Sequence, residues 1–110
     1  YRCKNLKNLI SLKKIIKYFY KKKLLFLVTN GNETRQKNKI HYLGINKYFK
    51  KIFILDGKKN KIKPSIKSVK YLIKEINKIG GKNCVYVGDN LYIDKIFAKN
   101  LHIPFMHFEF

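Results

Sequence analysis

Two of the six acidic residues of this chain sit in one stretch, VYVGDNLYID, residues 85–94. Asp89 follows an apolar run and Gly88, and Asp94 lies one helical turn further on. Carboxylates near one strand end are hard oxygen ligands of the kind Mg²⁺ takes. A glycine beside them lets the backbone turn tightly and approach a bound group closely. Two other stretches carry complementary chemistry. LVTNG places the Thr29 hydroxyl at the end of an apolar run, followed by Asn30 and Gly31. A hydroxyl and the backbone N–H groups at a helix start hold phosphate oxygens. Lys63, just before Pro64, supplies an ammonium that offsets charge on a transferring phosphoryl group. The set reads as a site for a phosphate and a divalent cation.

Each residue also has a plainer reading. Asp at a helix start is a common cap, and Asn-Gly is an ordinary turn signal. Lys63 competes with Lys61 in a chain full of lysines, although Pro64 and the helix after it favour Lys63. Asp56 reads as a turn residue, and Asn90 either faces the site or caps the next helix. What favours the chemical reading is the scarcity of acids, 6 Asp+Glu against 26 Lys+Arg, and their placement with Gly88 at a strand end.

The elements that must position these residues alternate. Residues 5–22 have Leu9, Leu12, Ile16 and Phe19 at helical spacing, with lysines between. KLLFLVT is an unbroken apolar run that suits a strand buried on both faces of a parallel sheet. Asn32 caps the next helix, Glu33 lies in its first turn, Gln36, Ile40 and Leu43 line one side, and Gly44 closes it. KIFIL, Lys51–Leu55, is the second strand, and the basic loop DGKKNKIKP follows. Ser65 is expected to cap an amphipathic helix burying Ile66, Val69, Leu72, Ile73, Ile76 and Ile79. Gly80-Gly81 ends that helix. CVYV is the third strand, residues 91–100 a helix, and residues 103–107 the last strand. Pro104 cannot donate to a ladder, so that strand belongs at a sheet edge. Alternation of this kind predicts an α/β fold with a Rossmann-like parallel sheet and flanking helices. Ligands then bind beyond the carboxyl ends of the strands, where Thr29, Lys63, Asp89 and Asp94 fall.

Composition narrows the field. The length of 110 residues fits one domain, and 45% hydrophobic residues exclude a disordered chain. No apolar run is long enough to span a bilayer. The formal net charge is +20, but the lysines are scattered over every segment and only Arg2 and Arg35 are arginines. Scattered charge marks a solvated face rather than a nucleic-acid stripe. Nucleic acid is therefore expected to bind only non-specifically, at low salt. Cys3 and Cys84 form no C-x-x-C pair, and His41, His102 and His107 have no metal-site spacing. A reducing, cytoplasmic setting is the default. The chain begins at Tyr1, which is read as a piece of a longer protein.

LVTNG, Lys63-Pro64 and VGDNLYID resemble, in order and separation, the second, third and fourth motifs of the haloacid dehalogenase-like (HAD) hydrolase superfamily. The stretch TNGNETRQKNKIHYLGINKYF is similar to members with a helical cap, including 5′-nucleotidase-like phosphatases. The resemblance implies Mg²⁺-dependent hydrolysis of a small phosphomonoester through an aspartyl-phosphate. Thr29, with Asn30 and Gly31, would bind the phosphoryl group, and Lys63 would stabilise its charge. Asp89 would bind Mg²⁺, and Asp94 would position Lys63 or complete the metal shell.

The family's first motif, an apolar strand ending in Asp-x-Asp, is absent from these 110 residues, and so is the cap. The resemblance therefore implies a partial core domain. Residues 1–22 would be the helix returning from the cap, and residues 23–110 the βαβαβαβ core. The central strand would come from an upstream segment of the same chain, needed to complete the sheet. This segment alone is expected to be inactive, with either a gap of roughly 10 Å between strands or a non-native pairing of LLFLV with CVYV. The alternative is a degenerate domain of this superfamily that serves as a polyanion- or RNA-binding module.

Overall fold

The computed structural model describes residues 6–108, with side chains from Leu12 onward. The architecture is α/β: α1 (Leu6–Tyr20), β1 (Phe26–Asn30), α2 (Glu33–Leu43), β2 (Lys51–Leu55), α3 (Lys70–Ile79), β3 (Tyr86–Gly88), α4 (Ile93–Asn100) and β4 (Phe105–His107). The chain divides into two compact units, one running to Ile54 and the other from Leu55. The four strands form two two-stranded sheets, β1–β2 and β3–β4, not a sheet in which LLFLV lies against CVYV. Among the described residues no helix is long and apolar enough to cross a membrane.

The first unit is held by one apolar cluster. Leu12 and Ile16 of α1, Ile40 of α2, and Ile45 and Tyr48 of the following turn are buried together. Leu25, Leu27, Leu43, Phe49, Ile52 and Ile54 pack against them. The expected apolar stripe of α1 is shorter than its sequence suggests, because Phe19 is exposed and stacks edge-on against Tyr18. The side chain of Leu9 lies outside the described residues. The limits of α2 follow from local chemistry. The Asn32 side chain accepts from the Arg35 N–H at 3.0 Å, and Gly44 adopts the left-handed conformation (φ 65°) that closes a helix.

In the second unit, α4 packs on both β3 and β4. The two strands run parallel, with Tyr86 opposite Phe105, Val87 opposite Met106 and Gly88 opposite His107. Pro104 precedes the ladder and contributes only its carbonyl, which accepts from the Tyr86 N–H at 2.9 Å. A proline can fill that place because no donation is asked of it.

Several expectations are corrected here. Ser65 does not cap α3, which starts at Lys70. The Ser65 hydroxyl instead accepts from the Lys67 N–H, and the Ser68 hydroxyl from the Lys61 N–H. Such local side-chain bonds to the backbone compete with helix formation, so residues 65–69 form turns and Ile66 is not on the helix. Ile79 is exposed rather than buried. The third strand starts at Tyr86 instead of Cys84, because the Cys84 N–H closes a 3-10 turn on Gly81. Val85 and Val87 are 52% and 39% exposed.

Candidate active site

The carboxyl end of β3 gathers most of the site. Period-two alternation turns Tyr86 and Gly88 to the same side of the strand, and α4 lies on that side. Asp94, in the first turn of α4, sits against Gly88 so closely that a Cβ built on Gly88 would lie 2.5 Å from the Cβ, Cγ and Oδ2 atoms of Asp94. Gly88 has no positive φ. The glycine before Asp89 is therefore explained by the close approach of Asp94 and not by a turn.

Both carboxylate oxygens of Asp94 accept hydrogen bonds. The Lys63 ammonium donates to its Oδ1 at 2.8 Å, the Tyr86 hydroxyl donates to the same oxygen at 3.3 Å, and the Asn90 N–H donates to Oδ2 at 3.2 Å. The Lys63 ammonium also donates to the Tyr86 hydroxyl at 2.8 Å. The side chains of Lys63 and Asp94 are only 5% and 6% exposed. Lys63 is thus set apart from Lys61, which is exposed. Burial first, then the charge and hydrogen bonding of Asp94, and lastly the charge of Asp89, push the Tyr86 phenol well above its usual pKa. It stays protonated and remains a donor at working pH.

Asn90 is resolved in favour of capping. Its side-chain oxygen accepts from the Tyr92 and Ile93 N–H groups at 2.8 Å each, and its carbonyl accepts from the Asp94 N–H at 3.1 Å. Asn90 therefore shapes the turn that carries Asp94 into α4. Asp56 is a turn residue as well, with its carboxylate accepting from the Lys58 N–H at 3.0 Å.

Asp89 differs from Asp94. It ends the β3 run, is half-buried, and among the described residues nothing hydrogen-bonds its carboxylate. Only its backbone carbonyl is engaged, at 3.1 Å from Nε2 of His107. Its oxygens can therefore serve as hard ligands for Mg²⁺, whereas both oxygens of Asp94 already accept hydrogen bonds. Among the described residues there is no group of three acids, histidines or cysteines that could enclose a metal. Mg²⁺ commonly needs no such cage, because it keeps several waters and binds one or two carboxylates plus substrate phosphate. Asp89 fits that sparse requirement. Of the two roles left open for Asp94, its 2.8 Å contact suits the holding of Lys63, and its Oδ2, with one hydrogen bond at 3.2 Å, keeps a lone pair for a metal shell.

Thr29, Asn30 and Gly31 belong to the first unit. Thr29 is 4% exposed, and its hydroxyl donates to the Gln36 side-chain oxygen at 3.5 Å, the outer limit of a hydrogen bond. Gln36 also overlies Gly31, where a Cβ would meet its amide nitrogen at 2.6 Å. Two residues were not singled out for the site from sequence. Gln36 was read only as part of a helix face. Tyr86 was read only as part of an apolar run, although its period-two relation to Gly88 was a usable signal. A shallow depression of about 460 Å³ in the first unit, lined by Tyr20, Lys22, Lys47, Tyr48 and their neighbours, contains none of the motif residues.

Comparison with known proteins supplies a frame for this geometry. Residues 2–108 match the family described as haloacid dehalogenase-like hydrolase. Over 86 residues the chain is 34% identical to glyceraldehyde 3-phosphate phosphatase from Pyrococcus abyssi, covering 78% of this chain and 35% of that protein. The fold is similar to that of the HAD-hydrolase YfnB from Bacillus subtilis, in a crystal structure bound to magnesium. The TM-score there is 0.72 at 22% identity, over 84% of this chain and 40% of that one. The chain thus spans 35% of the length of its curated relative.

Proposed function

Because the chain belongs to the haloacid dehalogenase-like hydrolase family, we propose that the intact protein hydrolyses a small phosphomonoester, with a sugar phosphate as the first class to try. The buried Lys63–Asp94 pair beside the open carboxylate of Asp89 carries this reading. A fixed positive charge and a free hard ligand near one strand end are what a phosphate with a divalent cation requires. The name of the Pyrococcus abyssi relative supports the substrate class.

In this reading Lys63 offsets charge that builds on the phosphoryl oxygens, and Asp94 keeps the ammonium in place. The Thr29 hydroxyl and the backbone N–H groups of Asn30 and Gly31 bind phosphoryl oxygens. Asp89 would hold Mg²⁺, which when bound neutralises phosphate charge. No Asp-x-Asp occurs in the 110 residues, so the nucleophile is assigned to an upstream part of the protein, and this segment alone is expected to bind without turnover. In the same scheme α1 is the helix returning from a cap, and residues 23–110 are a partial core.

The test is phosphate release by the intact protein from a panel of sugar phosphates and nucleotides, with and without Mg²⁺. Activity should require the metal and fall about 100-fold or more in Asp89→Asn, a loss of the size seen when one transition-state contact is removed. Absence of turnover on every ester would overturn the reading. Salt-sensitive polyanion binding that is indifferent to Asp89→Asn would favour the degenerate binding module instead.

A further inference from the structure

We propose that the Tyr86 hydroxyl is a positioning group for Lys63, fixing where the ammonium stands when a phosphoryl group binds; this rests on the phosphomonoester reading above. A lysine ammonium is a compact charge on a flexible four-carbon stem. One carboxylate partner would leave it free to swing about that contact. Here Asp94 Oδ1 and Tyr86 Oη both accept from it, each at 2.8 Å and themselves linked at 3.3 Å. The three groups form a closed triangle.

The contact with Tyr86 runs through the hydroxyl and not through the ring face. Lys63 Nζ lies 5.5 Å from the Tyr86 ring centroid. That is close to the largest separation a 2.8 Å bond to Oη permits. The ammonium therefore stands off the tip of the hydroxyl, near the ring plane, where a cation–π attraction is not available. An aromatic ring is positively polarised at its edge. A phenylalanine at this position would turn that edge toward the ammonium and offer no acceptor.

The hydroxyl is itself held by rigid elements. Tyr86 is fixed in the β3–β4 ladder opposite Phe105. Its ring packs edge-on against Phe97 of α4, with centroids 5.1 Å apart and planes at 64°. Phe97 is completely buried. A group placed by a strand and a helix is more sharply located than one placed by a loop, and Lys63 lies in a loop. Tyr86 thus passes the precision of the sheet to Lys63.

The intact protein carrying Tyr86→Phe tests this. Loss of the hydroxyl should lower kcat about tenfold, the scale of a misplaced catalytic group, while KM stays within about twofold. A role confined to folding would lower Tm and leave kcat of the folded enzyme unchanged, and that result overturns the proposal. A second readout does not need turnover: the rate at which acetic anhydride labels Lys63, followed by mass spectrometry in intact wild type and variant. The variant should label several-fold faster, and equal rates overturn the proposal. If the wild type hydrolyses no phosphomonoester, the functional reading fails and the labelling rates alone decide the role of Tyr86.

Discussion

The carboxyl ends of β1 and β3 both present a buried polar side chain, and they treat it differently. At β3 the Lys63 ammonium is 5% exposed and is met by a carboxylate and a phenol at 2.8 Å each. At β1 the Thr29 hydroxyl is 4% exposed, and its contact with Gln36 is stretched to 3.5 Å. The difference follows from what each group costs to bury. A charge taken out of water needs close partners or it destabilises the fold by several kcal/mol. A hydroxyl held by a marginal bond costs far less. The fold therefore commits the partners of Lys63 in advance, while Thr29 keeps only a marginal bond. In the reading proposed above, one strand end is built around its charge and the other would be completed by a phosphoryl oxygen.

The sharpest way to break this comparison is to remove the partner of the buried charge. Asp94→Ala in the intact protein takes the counter-charge from the Lys63 ammonium in a site where its side chain is 5% exposed. The expected cost is about 3–5 kcal/mol of stability, read as a fall in the denaturant midpoint at unchanged slope. A loss below about 1 kcal/mol would show that Lys63 swings out to water, and the β3 end would then be no more committed than the β1 end. Gly88→Ala attacks the same pair without touching either charge. The new methyl would lie 2.5 Å from Asp94 atoms, so α4 or the Asp94 side chain must move. Overpacking of that kind costs about 1–3 kcal/mol, and kcat should fall with it because Lys63 loses its anchor. Wild-type stability and activity in Gly88→Ala would show that Asp94 relocates freely.

These residues also mark where sequence reading works and where it stops. The β2 strand, the Asn32 cap and the Gly44 closure were legible because each is set by chemistry within a few residues. Lys63 and Asp94 were legible as candidates from their types and their places beside Pro64 and after Gly88. Their pairing was not, because thirty-one positions separate them along the chain and only the tertiary fold brings the loop before α3 to the first turn of α4. Tyr86 looked like one more aromatic in an apolar run. Its hydroxyl matters through two partners that local periodicity cannot reveal. The start of α3 failed for the opposite reason. The helical spacing of Ile66 and Val69 was real, but the hydroxyls of Ser65 and Ser68 drew nearby N–H groups into turns. The exposure of Val85 and Val87 is likewise invisible in their types, since an apolar strand reads the same whether or not both of its faces are covered.

The smallest effect on stability is expected at the other strand end, and it is the one that sharpens the comparison. Thr29→Val replaces the hydroxyl by a methyl of similar size at a 4% exposed position. Among the described residues the Thr29 hydroxyl has one polar contact to lose, the 3.5 Å bond to Gln36, so stability should change by less than about 1 kcal/mol. If the hydroxyl is kept for a phosphoryl oxygen, kcat/KM of the intact protein should nonetheless fall about 100-fold. Asp94→Ala should show the reverse balance, with a large part of its loss already present in the unliganded fold. Were Thr29→Val to unfold the protein as strongly as Asp94→Ala while sparing activity, the hydroxyl would be a structural group. The contrast between a committed strand end and an open one would then be wrong, because both ends would spend their polar groups on the fold itself.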